Sequence, residues 1–136
     1  MLKRLHELAA GDKDFAFETT LASRSYVRRL KHLQEARGYT VSLVYLWLSD
    51  ADLAVSRVGE RVRVGGHDVP EAVIRRRYMK GLRNFFEFYQ TLADSWAVYD
   101  CSDVSKLLLI ASKDGARGIQ VFEVKRWRMI EATALK

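Results

Sequence analysis

The stretch Val41-Ser42-Leu43-Val44-Tyr45-Leu46-Trp47-Leu48 decides the fold class of this 136-residue chain. It is a nearly unbroken apolar run of strand length, rich in residues that favour strands, which predicts a strand covered on both faces. Upstream, the short aromatic segment Asp14–Glu18 predicts a second buried strand. A helix with an apolar stripe lies between the two and ends at Gly38. A strand, a helix and a further strand indicate parallel pairing.

Downstream of Leu48 the pattern changes to helices and then returns to strands. Helical periodicity covers residues 51–63 and 70–93, and strands are predicted at residues 96–100, 106–112 and 118–124. The Asp114-Gly115 pair between the last two strands is a hairpin signal. Further helices are predicted near both ends, at residues 1–10 and 124–132. We therefore expect an α/β domain with a mainly parallel sheet flanked by helices and a C-terminal antiparallel hairpin.

Length, composition and cysteine content indicate one domain spanning residues 1–136. A hydrophobic fraction of 49% is enough to form a core without metals or disulfides. The single cysteine, Cys101, has no partner for an internal disulfide, and one Cys with three His gives no zinc-ligand pattern. No apolar run reaches the roughly 18 residues that cross a bilayer, and no signal peptide is evident. We expect a cytoplasmic protein that is not inserted in a membrane and holds no structural metal.

The positive charge of the chain is concentrated in one segment. The formal net charge is +6 at pH 7. Residues 61–83 contain only two acidic residues, Asp68 and Glu71. The same segment contains seven basic residues: Arg61, Arg63, Arg75, Arg76, Arg77, Lys80 and Arg83. Guanidinium groups that follow the Gly65-Gly66 hinge suit a lid that closes on a nucleotide and neutralises phosphate charge. The alternative is a solvated face whose charge serves solubility.

Two polar segments follow predicted strands. Glu18-Thr19-Thr20 comes at the end of the first, where a carboxylate and two hydroxyls can orient a substrate hydroxyl. The alternative is that Thr19 or Thr20 caps the next helix. Asp100-Cys101-Ser102 follows the strand at residues 96–100, where it can contact a base or a sugar or simply form a polar exit from the strand.

Several blocks of the sequence together resemble the zeta-toxin-like P-loop kinases of bacteria. They are Phe15-Ala16-Phe17-Glu18-Thr19-Thr20-Leu21, Tyr45-Leu46-Trp47-Leu48, Gly65-Gly66-His67-Asp68-Val69-Pro70, Ile74-Arg75-Arg76-Arg77-Tyr78 and Leu82-Arg83-Asn84-Phe85-Phe86. The blocks are more similar to the predicted ATPase branch than to the classical zeta toxins, which phosphorylate UDP-N-acetylglucosamine. The resemblance covers almost the whole chain and implies a truncated P-loop kinase-like fold.

The resemblance implies a role for each candidate residue. Catalytic residues would be Glu18, Arg75 and Arg76; acceptor-binding residues Thr19, Thr20 and Arg24; and nucleotide-binding residues Arg61, Arg63, Arg77, Asp100 and Ser102. The cofactors it implies are ATP and Mg²⁺, and the partners are a nucleotide and a small-molecule acceptor, of which a UDP-sugar is one example.

No glycine-rich loop of the form G-x-x-x-x-G-K-[ST] occurs in the 136 residues. The resemblance places this loop after an interior strand at the amino-terminal side, so it implies a kinase remnant that is inactive alone. The strands left beside the gap would close the sheet by pairing directly, or by strand exchange in a homodimer.

The alternative function is a nucleic-acid- or protein-binding module that uses the basic lid face. Tyr78 and Phe85-Phe86 lie between the basic residues, but their periodicity assigns them to the core. A surface on which bases stack is therefore less favoured.

Overall fold

The computed structural model describes residues 2–11 and 13–136. Its helices are α1 (Leu2–Ala10), α2 (Ser25–Arg37), α3 (Ala51–Arg63), α4 (Glu71–Asn84), α5 (Gln90–Leu92) and α6 (Val124–Ala134). A single π-helical turn, Phe85–Tyr89, joins α4 to α5, and a short 3₁₀ turn spans Gly115–Arg117. The strands are β1 (Ser42–Trp47), β2 (Ser95–Asp100), β3 (Leu108–Asp114) and β4 (Ile119–Val121).

The strands form one mixed sheet in the order β1-β2-β3-β4. β1 and β2 are parallel, with Ser42 opposite Ser95 and Trp47 opposite Asp100, while β2–β3 and β3–β4 are antiparallel. The α/β class and the C-terminal hairpin are confirmed. The prediction of a mainly parallel sheet is wrong, because the predicted first strand is not part of the sheet.

The segment Asp14–Glu18 lies outside regular secondary structure. Its aromatic rings pack on the helical layer: Phe15 lies 5.8 Å from Tyr39 and Phe17 lies 5.2 Å from Tyr26, measured between ring centroids. The apolar pattern predicted a buried strand, but both rings are only half-buried. It did not specify a backbone partner, because strand formation depends on the neighbour that completes the hydrogen bonds.

β1 and β2 pair directly, and among the described residues β1 has no strand on its other side. β1 is consequently an edge strand. The prediction that both of its faces are covered is wrong: Val44 and Leu46 are 61% and 60% exposed, whereas Trp47 is 3% exposed. Residues that alternate along a strand point to opposite faces, so only one face of β1 contributes to the core.

The core is built around the π turn. The predicted helix over residues 70–93 is present as α4, the π turn and α5 in succession. Phe85 of the π turn lies 5.3 Å from Tyr45 on β1 and 5.4 Å from Trp96 on β2, the latter edge-on, and Trp96 stacks on Trp127 of α6 at 5.7 Å. This row of rings holds α4 and α6 to the buried face of the sheet, since aromatic pairs at these separations add to the free energy of burial.

None of the described helices is long and apolar enough to cross a bilayer.

The one-sided burial of the sheet is tested by two valine substitutions. Val98→Ala on β2 removes two buried methyl groups, because Val98 is 1% exposed, and should lower the free energy of unfolding by about 2 kcal/mol. Val44→Ala should change it by less than about 0.5 kcal/mol. Urea denaturation of both variants is the measurement, and equal losses would contradict a sheet with an open face at β1.

Candidate functional site

One face of α4 holds the loop Glu18–Leu21 in place. A side chain at Gly81 would overlap the carbonyl oxygen of Thr20, so the loop backbone lies directly against the helix. One turn further on, the buried Asn84 donates a hydrogen bond from Nδ2 to the carbonyl of Leu21 at 2.7 Å. Leu21 has φ 60 and is 4% exposed, a left-handed conformation that costs a non-glycine residue on the order of 1–3 kcal/mol. The contacts with α4 therefore hold the loop in a conformation that it would not adopt alone.

The two threonines of this loop stabilise it locally. The Thr19 hydroxyl oxygen accepts a hydrogen bond from Leu21 N at 3.2 Å, and that of Thr20 accepts one from Ala22 N at 3.4 Å. α2 begins only at Ser25, so the alternative in which Thr19 or Thr20 caps this helix is wrong. Both hydroxyl hydrogens remain available to donate, and Glu18, Thr19 and Thr20 are exposed.

Arg24 lies just beyond the loop, above the π turn. Its guanidinium is 4.9 Å from the centroid of the Phe88 ring and 3.8 Å from the Glu87 carboxylate. The cation–π contact orients a side chain that the longer, solvent-exposed ion pair alone would leave mobile. Arg24 is thus positioned next to the Glu18–Leu21 loop.

The three consecutive arginines of α4 differ in their surroundings. Arg75 bonds to Asp52 at 2.6 Å and to Glu71 at 2.9 Å, which connects α4 to the start of α3. The hydrogen bond to Asp52, followed by that to Glu71, raises the pKa of Arg75. Arg76 and Arg77 are exposed and, within the described chain, form no ion pair. Arg77 lies one helical turn before Gly81, and is therefore the arginine of this cluster on the loop side of α4.

Arg61 and Arg63 lie apart from that cluster. They occupy the last turn of α3, and Arg61 is nine residues beyond Asp52, or roughly 14 Å along the helix axis. The backbone reverses immediately afterwards, where the Gly66 N–H donates to the Arg61 carbonyl at 2.7 Å. The structure thus separates the predicted lid arginines into two groups.

Asp100 and Ser102 lie at the carboxyl ends of β1 and β2. The Ser102 hydroxyl accepts a hydrogen bond from Ser49 N at 2.9 Å, and the Ser102 carbonyl accepts one from Arg57 at 2.9 Å. Arg126 of α6 lies 2.9 Å from the Asp100 carboxylate, whose side chain is 13% exposed. Asp100 also accepts a hydrogen bond from Ser102 N at 2.8 Å. Both carboxylate oxygens of Asp100 therefore already have partners within the chain.

Sequence reasoning missed a row of residues on α4 that connects the Glu18–Leu21 loop with the end of β1. Tyr78, Gly81 and Asn84 follow one another at intervals of three residues and lie on one helix face. Tyr78 donates a hydrogen bond to the Leu48 carbonyl at 2.7 Å, at the end of β1, while Gly81 and Asn84 contact the loop. A glycine inside a helix and a polar residue on its apolar face are the signals that could have found it. Arg57 and Arg126 were missed as well, since each contacts residues distant in sequence.

Cys101 lies between Asp100 and Ser102, and burial raises the pKa of its thiol, with a further increase from Asp100 and a decrease from Arg57. The thiolate is thus disfavoured at neutral pH.

Comparison with known proteins locates the chain within one family. A family model described as "Zeta toxin" matches residues 2–113. A curated protein of Haemophilus influenzae, described only as an uncharacterized protein, is 33% identical over 64 residues; the aligned part covers 47% of this chain and 45% of that protein. The match therefore spans less than half the length of that relative. No solved structure matches the chain significantly.

A matched pair of glycine substitutions tests the contact between α4 and the loop. Gly81→Ala should lower the free energy of unfolding by about 1–3 kcal/mol, because the methyl group overlaps the Thr20 carbonyl and displaces the strained loop. Gly59→Ala, in the middle of α3 with open space around it, should instead stabilise the protein by roughly 0.5–1 kcal/mol. Chemical denaturation measures both, and a neutral Gly81→Ala would show that the loop does not lie against the helix.

The raised pKa of Cys101 predicts slow alkylation. A raised thiol pKa reduces the thiolate fraction at neutral pH, and thiolate is the reactive form. Iodoacetamide should modify the folded protein more slowly than the urea-unfolded protein, and the rate for the folded protein should keep rising to a higher pH. Equal rates in the two states would refute this environment for Cys101.

Proposed function

Because the chain belongs to the zeta toxin family, we propose that it is a P-loop kinase-like domain whose Glu18–Leu21 loop receives the hydroxyl group of a small-molecule acceptor. The family match includes this loop, α4 and the carboxyl ends of β1 and β2. The observation that carries the proposal is the row of Tyr78, Gly81 and Asn84. It places the loop and the arginine-bearing helix in one rigid unit, and phosphoryl transfer relies above all on such positioning.

The exposed residues of the loop supply the acceptor chemistry. Glu18 is an exposed carboxylate at the start of the loop and would accept the proton of the acceptor hydroxyl. Thr19 and Thr20 would orient the acceptor through their hydroxyl hydrogens. Arg24, positioned by Phe88, would contact an anionic part of the acceptor, such as the diphosphate of a UDP-sugar.

The arginines divide between structural and ligand-binding roles. Arg76 and Arg77, which have no carboxylate partner within the described chain, are the groups that we assign to phosphate charge. Arg75 is assigned to holding α4 against α3. Arg61 and Arg63 would reach the same phosphates only when the segment around Gly65-Gly66 moves.

The residues of this chain fit a phosphate group better than they fit Mg²⁺. Of the described residues, no three His, Cys, Asp or Glu side chains cluster as metal ligands, and the Asp100 oxygens are already bonded. The backbone cradle of a G-x-x-x-x-G-K-[ST] loop is also absent from the sequence. We propose that these 136 residues do not transfer phosphate by themselves.

Nucleic-acid binding by the basic face is the alternative, and the aromatic residues argue against it. The Tyr78 hydroxyl is bonded to the Leu48 carbonyl, and Phe85 is 1% exposed. Phe85 belongs to the core and Tyr78 is half-buried, so neither ring offers the open stacking platform that single-stranded nucleic acids favour.

A homodimer that completes the sheet is a further structural proposal. β1 is an edge strand whose outer face exposes Val44 and Leu46, so a second copy would find an open edge beside apolar side chains. Light scattering at micromolar concentration decides this point: twice the chain mass supports the dimer, and the chain mass rules it out.

The assignment of phosphate to α4 is tested by nucleotide titration. Replacing both Arg76 and Arg77 by Ala should weaken Mg·ATP binding about tenfold or more in calorimetry, because each removes a charge-assisted contact. Arg128→Ala, an exposed arginine of α6, is the control and should leave binding unchanged. No transfer of the γ-phosphate to UDP-N-acetylglucosamine is expected from the chain alone.

If the α4 and α6 substitutions changed Mg·ATP affinity equally, the assignment of the phosphate site to α4 would be refuted. Measurable transfer would overturn the proposed inactivity. Titration with single-stranded RNA at two salt concentrations completes the comparison, since binding tighter than that of Mg·ATP, with a steep salt dependence, would favour the alternative function.

A further inference from the structure

A cavity of about 170 Å³ lies between the segment Phe15–Leu21 and the open edge of β1. Its walls are largely apolar and aromatic: Phe15, Phe17, Tyr26, Leu33, Leu43 and Tyr89. Tyr39 also lines it, and its hydroxyl donates to the carbonyls of Ala9 and Lys13 at 3.3 and 3.2 Å. The Phe15–Leu21 segment, α2 and the start of β1 thus each contribute to its walls.

The volume matches one six-membered ring. An apolar core cavity of about 150 Å³ accepts a molecule of the size of benzene, and this cavity, which is partly open to solvent, has a similar volume. The walls also hold their positions: Tyr89 bonds through its hydroxyl to the Ser23 carbonyl at 2.5 Å, and Phe17 packs on Tyr26. A ring entering this space would meet fixed aromatic surfaces at little cost in ordering the protein.

Part of the polar lining of the cavity belongs to the candidate site. Thr19 and Leu21 line the cavity, and both belong to the loop that α4 holds in place. The Thr19 oxygen already accepts a hydrogen bond from Leu21 N, so its hydrogen is available to an oxygen of the ligand. Thr40 and Ser42 line the cavity as well, so a ring that carries a hydroxyl group would find hydroxyl partners at the loop and at the start of β1.

We propose that this cavity binds a small planar ring that carries a hydroxyl group, with phenol as the simplest example of the class. A hydroxyl group bonded to Thr19 would lie at the Glu18–Leu21 loop, so the cavity would set the acceptor class. That last step rests on the proposed function, whereas ring binding itself does not.

The test is a titration of the whole chain with phenol in the absence of nucleotide. Amide and methyl chemical shifts in NMR spectra monitor the binding. Saturable shifts should be confined to the cavity walls, including Phe15, Phe17 and Leu43. Benzene should bind the same residues more weakly, because it cannot form a hydrogen bond with Thr19. Failure of phenol to shift these residues, or shifts spread over the exposed face of β1, would overturn the proposal.

A matched pair of substitutions on β1 adds a second readout. Leu43→Phe fills part of the cavity and should weaken phenol binding about tenfold or more, whereas Leu46→Phe, on the exposed face of the same strand, should leave binding unchanged. Since overpacking can disturb folding, the melting temperature of each variant is measured first, and the wild-type shifts stand independently of both. If phenol binds and the Arg76 and Arg77 substitutions leave Mg·ATP binding unchanged, the cavity proposal stands and the kinase assignment is refuted. If phenol does not bind and these substitutions weaken Mg·ATP binding, the kinase assignment stands and the cavity proposal is refuted.

Discussion

The absence of a side chain at Gly81 is the constraint on which the arrangement of the candidate site depends. At this point the backbone of the Glu18–Leu21 loop rests on α4, and any Cβ would overlap the Thr20 carbonyl. The same helix continues to Asn84, which satisfies the buried Leu21 carbonyl, and to Phe85, which forms the centre of the aromatic core. An unsatisfied carbonyl at Leu21 would cost about 1–3 kcal/mol, so this helix stabilises the strained loop and the core through adjacent turns.

Charge on this chain serves two purposes that composition does not distinguish. Arg57, Arg75 and Arg126 are bonded to partners on other elements and hold α3, α4 and α6 in register with the sheet. An ion pair that is open to solvent, such as that of Arg75 with Asp52, contributes little free energy, so its value lies in geometry. Arg76 and Arg77 have no such partner within the described residues, and for that reason they are the arginines through which an anionic ligand can be held.

The edge of the sheet at β1 links the fold to the proposed ligand site. Direct pairing of β1 with β2 satisfies the inner backbone groups of β1, and its first residues, Ser42 and Leu43, line the cavity together with the Phe15–Leu21 segment. Had this segment paired with β1 as its composition suggested, the space would be occupied by backbone. The same unpaired segment thus accounts for the wrong sheet prediction and for the open edge, and it lines the cavity.

The sequence by itself determined the α/β class, the order of most elements and the C-terminal hairpin, because these depend on local periodicity and turn chemistry. It also indicated that Glu18, Thr20 and the arginines near position 76 belong to one family pattern. Only the tertiary structure decided which strands pair, which arginine is already bonded and what holds the loop. Those outcomes depend on contacts such as Gly81 with Thr20 and Arg126 with Asp100, whose partners lie 61 and 26 residues apart in the sequence. A local sequence pattern does not specify contacts between residues this far apart.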